Sequence, residues 1–180
     1  MKALAVAVLL LAAPLTACGT SATPSPSAVV QTDPSFNATD LAWIELMIPM
    51  DEQLLRVLAT ASHQATTPAL RTFATTLAAG HKSEVAQLIA LRTRAKAPTT
   101  NQHEGHDMPG MMTEPEVLAL SNTKGSAYDQ LLEKNLKENL EQSIIVARSI
   151  RTAGQEPAVK KLAASIEQTR AGQLRRLATL

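Results

Sequence analysis

One run of the chain gathers donors that bind soft metal ions: His103-Glu104-Gly105-His106-Asp107-Met108-Pro109-Gly110-Met111-Met112. Two of the four histidines and three of the six methionines of the chain fall within it. Imidazole and thioether together suit copper, and thioether sulfur particularly suits Cu(I). The gaps between His103, His106, Met108, Met111 and Met112 would let a loop wrap one ion. The competing reading is a polar loop whose methionines dock onto the rest of the protein as adaptable filler.

Two further groups lie on helical patterns rather than in a loop. Asp51 falls on the apolar side of its segment, between Met47 and Leu54. A buried, unpaired carboxylate is costly, so it must sit at a rim, bind a cation or find a partner. His81 lies one turn from both Leu77 and Val85. One solution is a His81–Asp51 pair inside the fold; the other is a solvated aspartate and a partly buried, hydrogen-bonded histidine. Met47 and Met50 read as core rather than as ligands. His63 reads as a solvated group near a helix end, where a cation favours the helix dipole.

Catalytic constellations are missing from the sequence. A carboxylate di-iron bundle wants Glu-x-x-His on two helices, and that spacing does not occur. There is no glycine-rich phosphate loop and no haem-attachment motif, and no nucleophile motif surrounds the serines and threonines. The expectation is a protein that is not an enzyme.

Four helical patterns would position these groups. The first runs from about Asn37 to His63 and carries Leu41, Ile44, Met47, Leu54 and Leu58, with Pro49 inside it as a source of a kink. The second opens at Thr67-Pro68, a cap followed by proline at the first helical position. The third covers Thr113 to Ala153, with capping-box spacing between Thr113 and Glu116 and Gly154 as its stop. The fourth opens at Glu156-Pro157 and carries Val159, Leu162, Ile166, Leu174 and Leu177. Short links within each pair predict two antiparallel hairpins.

The hairpins repeat one another. Pro68-Ala69-Leu70-Arg71-Thr72-Phe73-Ala74 matches Pro157-Ala158-Val159-Lys160-Lys161-Leu162-Ala163 at a constant shift, which also carries Asp40 onto Asp129 and Leu88 onto Leu177. Scarce aromatics (two Phe, one Trp, one Tyr) and abundant Ala and Leu favour closely packed helices over a sheet. The expected domain is a four-helix bundle over residues 36–180, with the Met/His-rich segment at 97–113 as its crossover.

The N-terminus has a different purpose. Lys2 precedes an apolar run from Ala3 to Ala13, the layout of a secretory signal. That run is too short to span a bilayer, which takes roughly 20 apolar residues. Leu15-Thr16-Ala17-Cys18 resembles the lipobox of bacterial lipoproteins, which implies cleavage before Cys18 and lipid on its sulfur. Residues 1–17 are then the signal peptide, and 18–35, rich in Ser, Thr, Ala and Pro, a flexible lipid-anchored tether. Cys18 is the only cysteine, so lipidation would leave no thiol for disulfides or thiolate metal sites. The net charge of +1 gives no reason to expect a nucleic-acid partner.

From Phe36 onward the chain resembles the ferritin-like family catalogued as domain of unknown function 305. The resemblance rests on Phe36-Asn37-Ala38-Thr39-Asp40, Met47-Ile48-Pro49, Met108-Pro109-Gly110-Met111-Met112-Thr113, and Gly125 with Tyr128-Asp129. It implies an all-α, ferritin-like four-helix bundle. The family pattern has a His-His pair after the Ile-Pro step and a second at the equivalent point of the second hairpin. Here those positions hold Met50-Asp51 and Asn139-Leu140, so whatever the pairs do in relatives does not carry over.

These readings combine into an extracytoplasmic lipoprotein on the cell membrane. It is expected to serve as a non-catalytic binding or interaction module with an envelope protein as partner. The alternative is a copper-binding or copper-buffering lipoprotein that uses His103, His106, Met108, Met111 and Met112.

Overall fold

The structure, a computed structural model, describes residues 32–180; the expected signal peptide, Cys18 and the tether as far as residue 31 lie outside them. The described residues form five α-helices and no strand: α1 (Ala38–Gln64), α2 (Pro68–Arg94), α3 (Glu114–Asn122), α4 (Gly125–Ala153) and α5 (Pro157–Leu177). None of these helices is long and apolar enough to cross a membrane.

Helix starts coincide with the residues able to cap them. At α1 the Asn37 side chain accepts from the Asp40 amide at 2.9 Å, and Asp40 accepts from the Asn37 amide at 3.0 Å, a reciprocal capping box. At α2 the Thr67 hydroxyl accepts from the Leu70 amide at 3.2 Å, with Pro68 leading the helix. α1 continues through Pro49 as one helix. Gly154 ends α4 in an extended conformation (φ −73°, ψ 157°) rather than a left-handed one. A side chain there would lie 2.6 Å from the Asp40 carboxylate, so the close approach excludes one.

The third predicted helix is corrected. A single helix from Thr113 to Ala153 is expected from the sequence, but the chain breaks at Thr123 and Lys124, both extended, and restarts at Gly125 with φ +65°. The Thr123 amide and hydroxyl both bind the Ala119 carbonyl, which closes α3. Gly125 then supplies a backbone geometry that other residues resist.

α1 pairs with α2 and α4 with α5, the two hairpins pack together through α1 and α4, and the short α3 lies against α4. The repeat seen in the sequence is visible at the two ends of the bundle. Asp40, in the first turn of α1, accepts from the amides of Gln155 and Glu156 at 3.1 and 3.0 Å, just before α5. Asp129, near the start of α4, accepts from the Thr66 amide at 2.9 Å and from its hydroxyl, just before α2. The shift that carries Asp40 onto Asp129 also carries Thr66 onto Gln155. Each hairpin therefore uses its first aspartate to hold the turn of the other.

The core falls into two apolar clusters. One is built around Leu54, Leu58, Phe73, Leu77, Leu132 and Leu136, the other around Ile44, Met47, Leu88, Ile150, Val159 and Ile166. Along α1, α2 and α5 the two sets are separated by a buried charged residue: Asp51, then His81 with Glu84, then Arg170. A polar layer thus crosses the middle of the bundle.

Candidate functional site

Two places offer metal-type donors: the crossover and the polar layer. The crossover is fastened at several points. His106 N–H donates to the His103 carbonyl at 3.1 Å, closing a turn with Gly105 at φ +76°. Met111 N–H donates to the Met108 carbonyl at 2.9 Å, with Pro109 and then Gly110 at φ +78° between them. That is a type II turn, and its third position requires glycine geometry. The Gly110 carbonyl accepts from Asn139 Nδ2 at 2.9 Å. A Cβ on Gly110 would lie 2.5 Å from that of Gln142. The Gln53 side chain accepts from the Met112 amide at 2.7 Å and donates back to the Met112 carbonyl, tying the crossover to α1.

Between α1 and the crossover lies a groove of about 700 Å³. His103, His106, Met111 and Met112 line it together with Glu52 and Glu104. Arg56 and Glu114 pair at 2.6 Å beside it. Among the described residues neither imidazole has a hydrogen-bond partner, so both rings keep a nitrogen available. The methionines divide. Met112 is 8 % exposed and packs in the first apolar cluster, and Met111 packs partly buried against the second. Met108 is half-buried and does not line the groove. The filler reading therefore holds for Met112, while His103, His106 and Met111 share one open space.

The polar layer realises the His81–Asp51 pair. His81 Nδ1 lies 2.8 Å from Asp51 Oδ1, and the two residues are 0 % and 1 % exposed. A solvated Asp51 is thereby corrected: its position on the apolar stripe of α1 leaves it no route to water. The same Nδ1 also lies 3.2 Å from a guanidinium nitrogen of Arg170, so the imidazole stands between carboxylate and cation. Arg170, fully buried, completes the cluster. Its Nη1 donates to Glu84 Oε1 at 3.1 Å and to Gln173 Oε1 at 3.2 Å. Its Nη2 donates to Glu84 Oε2 and lies 3.5 Å from Asp51 Oδ1 and 3.2 Å from His81 Nδ1.

Glu84 and Arg170 escaped the sequence reading, although a signal exists. Both interrupt apolar stripes, Glu84 one turn before Leu88 and Arg170 midway between Ile166 and Leu174. The repeat shift also carries His81 onto Arg170 and Glu84 onto Gln173. Asp51, His81 and Glu84 each present a ligand-type atom within 4.8 Å of the others.

A profile of the family described as "Domain of unknown function (DUF305)" matches residues 40–180. No curated protein matches the chain in sequence. Among solved structures, the chain is similar to a DUF305 fragment from Deinococcus radiodurans, with TM-score 0.72 and 17 % identity over 80 % of this chain and 95 % of that one. It is similar to a putative secreted DUF305 protein from Streptomyces coelicolor, with TM-score 0.69 and 16 % identity over 78 % and 90 %. It is also similar to CopM in its Cu(I)-bound form, with TM-score 0.65 and 16 % identity over 79 % and 95 %. At such identities the likeness establishes the fold alone.

Proposed function

The chain belongs to the DUF305 family, and from that premise we propose that it is an extracytoplasmic, lipid-anchored, non-catalytic protein that binds copper in the groove between α1 and the crossover. The observation that carries this reading is the placement of His103 and His106, on one turn, in the same open groove as Met111 and Met112. Two imidazoles and a thioether are a donor set that copper accepts in either oxidation state. CopM, which shares the fold, has been solved with Cu(I) bound. His103, His106 and Met111 would hold the ion, and Gln53 and Asn139 would keep the crossover in place against α1 and α4. Anchoring through Cys18 would keep such a protein at the membrane surface, where it would buffer copper rather than transform it.

The test is a titration of the full chain with Cu(I) and Cu(II) against a competing chelator, repeated on a His103→Ala/His106→Ala/Met111→Leu variant. Leucine keeps the packing of Met111 while removing its sulfur. Stoichiometric binding that disappears in the variant supports the reading. Binding no tighter than that of an unrelated helical protein overturns it.

A second reading, an interaction module for an envelope protein, is favoured by Leu118 and Ile145. These side chains, on α3 and α4, are 63 % and 59 % exposed. Failure of the copper titration would leave this reading standing.

A further inference from the structure

We propose that Arg170 is a built-in cation that closes a metal-type ligand set in the middle of the bundle. Asp51, His81 and Glu84 are buried residues whose ligand-type atoms lie within 4.8 Å of one another. Ligands around a tetrahedral ion with bonds of about 2.1 Å stand about 3.4 Å apart, so a small contraction would make this a binding site. Two carboxylates and an imidazole also match the charge and donor preference of a borderline divalent cation. The space they converge on is taken by the Arg170 guanidinium. It donates to both oxygens of Glu84 and stands 3.5 Å from Asp51 Oδ1 and 3.2 Å from His81 Nδ1.

The fit of the guanidinium is incomplete. Asp51 Oδ2, His81 Nε2 and Arg170 Nε are all buried and have no partner among the described residues. A cluster selected only to be satisfied would not leave three polar atoms orphaned in one layer. His81 and Arg170 occupy equivalent positions of the repeat, so at one level of the bundle one hairpin supplies a ligand and the other supplies the charge that replaces an ion. The bundle interior is thereby closed to metal while the crossover groove stays open. The inference does not depend on the crossover binding copper, because it concerns a different ligand set.

The experiment starts from the full chain carrying His103→Ala and His106→Ala, so that uptake at the crossover does not confuse it. Co(II) is the probe, since its visible absorption reports ligation inside the protein. Adding Arg170→Gln should create uptake of about one further equivalent, with a rise in thermal midpoint as Co(II) is added. Further adding Glu84→Gln should abolish both. If Arg170→Gln alone is unfolded, recovery of its helix signal on adding Co(II) supports the proposal, and no recovery counts against it. A folded Arg170→Gln chain that takes up no extra Co(II) overturns it. Asp51→Asn with Arg170 intact gives an independent check: its Co(II) uptake should equal that of the starting chain. Loss of an equivalent there would show the set already open and would also overturn the proposal.

Discussion

The first hairpin, α1 with α2, and the second, α4 with α5, are alike at their ends and unlike in their middles. At the ends Asp40 accepts from the Gln155 amide and Asp129 from the equivalent Thr66 amide, each holding the turn of the other hairpin. In the middle, Asp51, His81 and Glu84 of the first hairpin correspond to Leu140, Arg170 and Gln173 of the second. The symmetric bonds define how two hairpins assemble, and either would lose its partner if it drifted. The middle layer is free to diverge provided each buried carboxylate finds a donor. Here two carboxylates from one hairpin face one guanidinium from the other.

The sharpest break of the asymmetric layer is Arg170→Ala. It leaves Asp51 and Glu84 buried without their cation, and breaking such a pair costs about 3–5 kcal/mol. Urea unfolding would measure it. A loss below about 1 kcal/mol would mean that water reaches the layer and the charges are not truly buried.

Tyr128, which the shift pairs with Thr39, probes an asymmetry nearer the end of the bundle. It is fully buried with no partner for its hydroxyl among the described residues. Burial, reinforced by the Asp129 carboxylate, pushes the phenol up to about 12. The unfolded chain ionises near pH 10 while the folded chain keeps its proton. Stability is therefore complete below about pH 10 and falls as pH rises towards 12, by about 3 kcal/mol in all. Tyr128→Phe should flatten that alkaline limb and leave stability at neutral pH unchanged or raised, since an orphan hydroxyl is removed. Unfolding midpoints across this range decide it.

Asp40→Asn and Asp129→Asn test the symmetric ends. Each weakens a carboxylate cap that spans the two hairpins, worth about 1–2 kcal/mol. Asp40 should be the costlier, because it serves the amides of Asn37, Gln155 and Glu156, whereas Asp129 serves Thr66 alone. Equal effects would show that the additional amides contribute nothing.

The smallest effect belongs to α3, which precedes the second hairpin. Glu116 accepts from the amide and hydroxyl of Thr113, and these bonds hold its carboxyl below the usual glutamate range. Its contribution is present above the ordinary glutamate value and is lost as pH falls through the lowered one. The protection factor of the Thr113 amide should fall on acidification, and Glu116→Gln should show the low protection already at neutral pH with the bundle intact.

Much of the fold was legible because its signals are local. Caps at Thr67 and Thr113, prolines at helix starts and apolar residues at helical spacing depend on neighbours within a turn or two. The shifted repeat also predicted two hairpins, because similar segments fold by similar rules. The break at Thr123 and Lys124 was hidden, since Leu120 and Tyr128 continue an apolar pattern across it and only the positive φ of Gly125 betrays the restart.

The candidate sites divide in the same way. Sequence alone singled out the donor-type residues of the crossover, where composition is the signal, and it placed Asp51 and His81 each on an apolar stripe with their pairing left open. It could not say which methionine would be spent on packing, because burial of Met112 depends on where Gln53 anchors its backbone. Nor could it show that Arg170, far along the chain from Asp51, would fill the space between two carboxylates. The reason is physical: propensity and periodicity act within a helix. The cost of burying a charge is settled only when four helices meet and the opposite charge is found, or not found, across the interface.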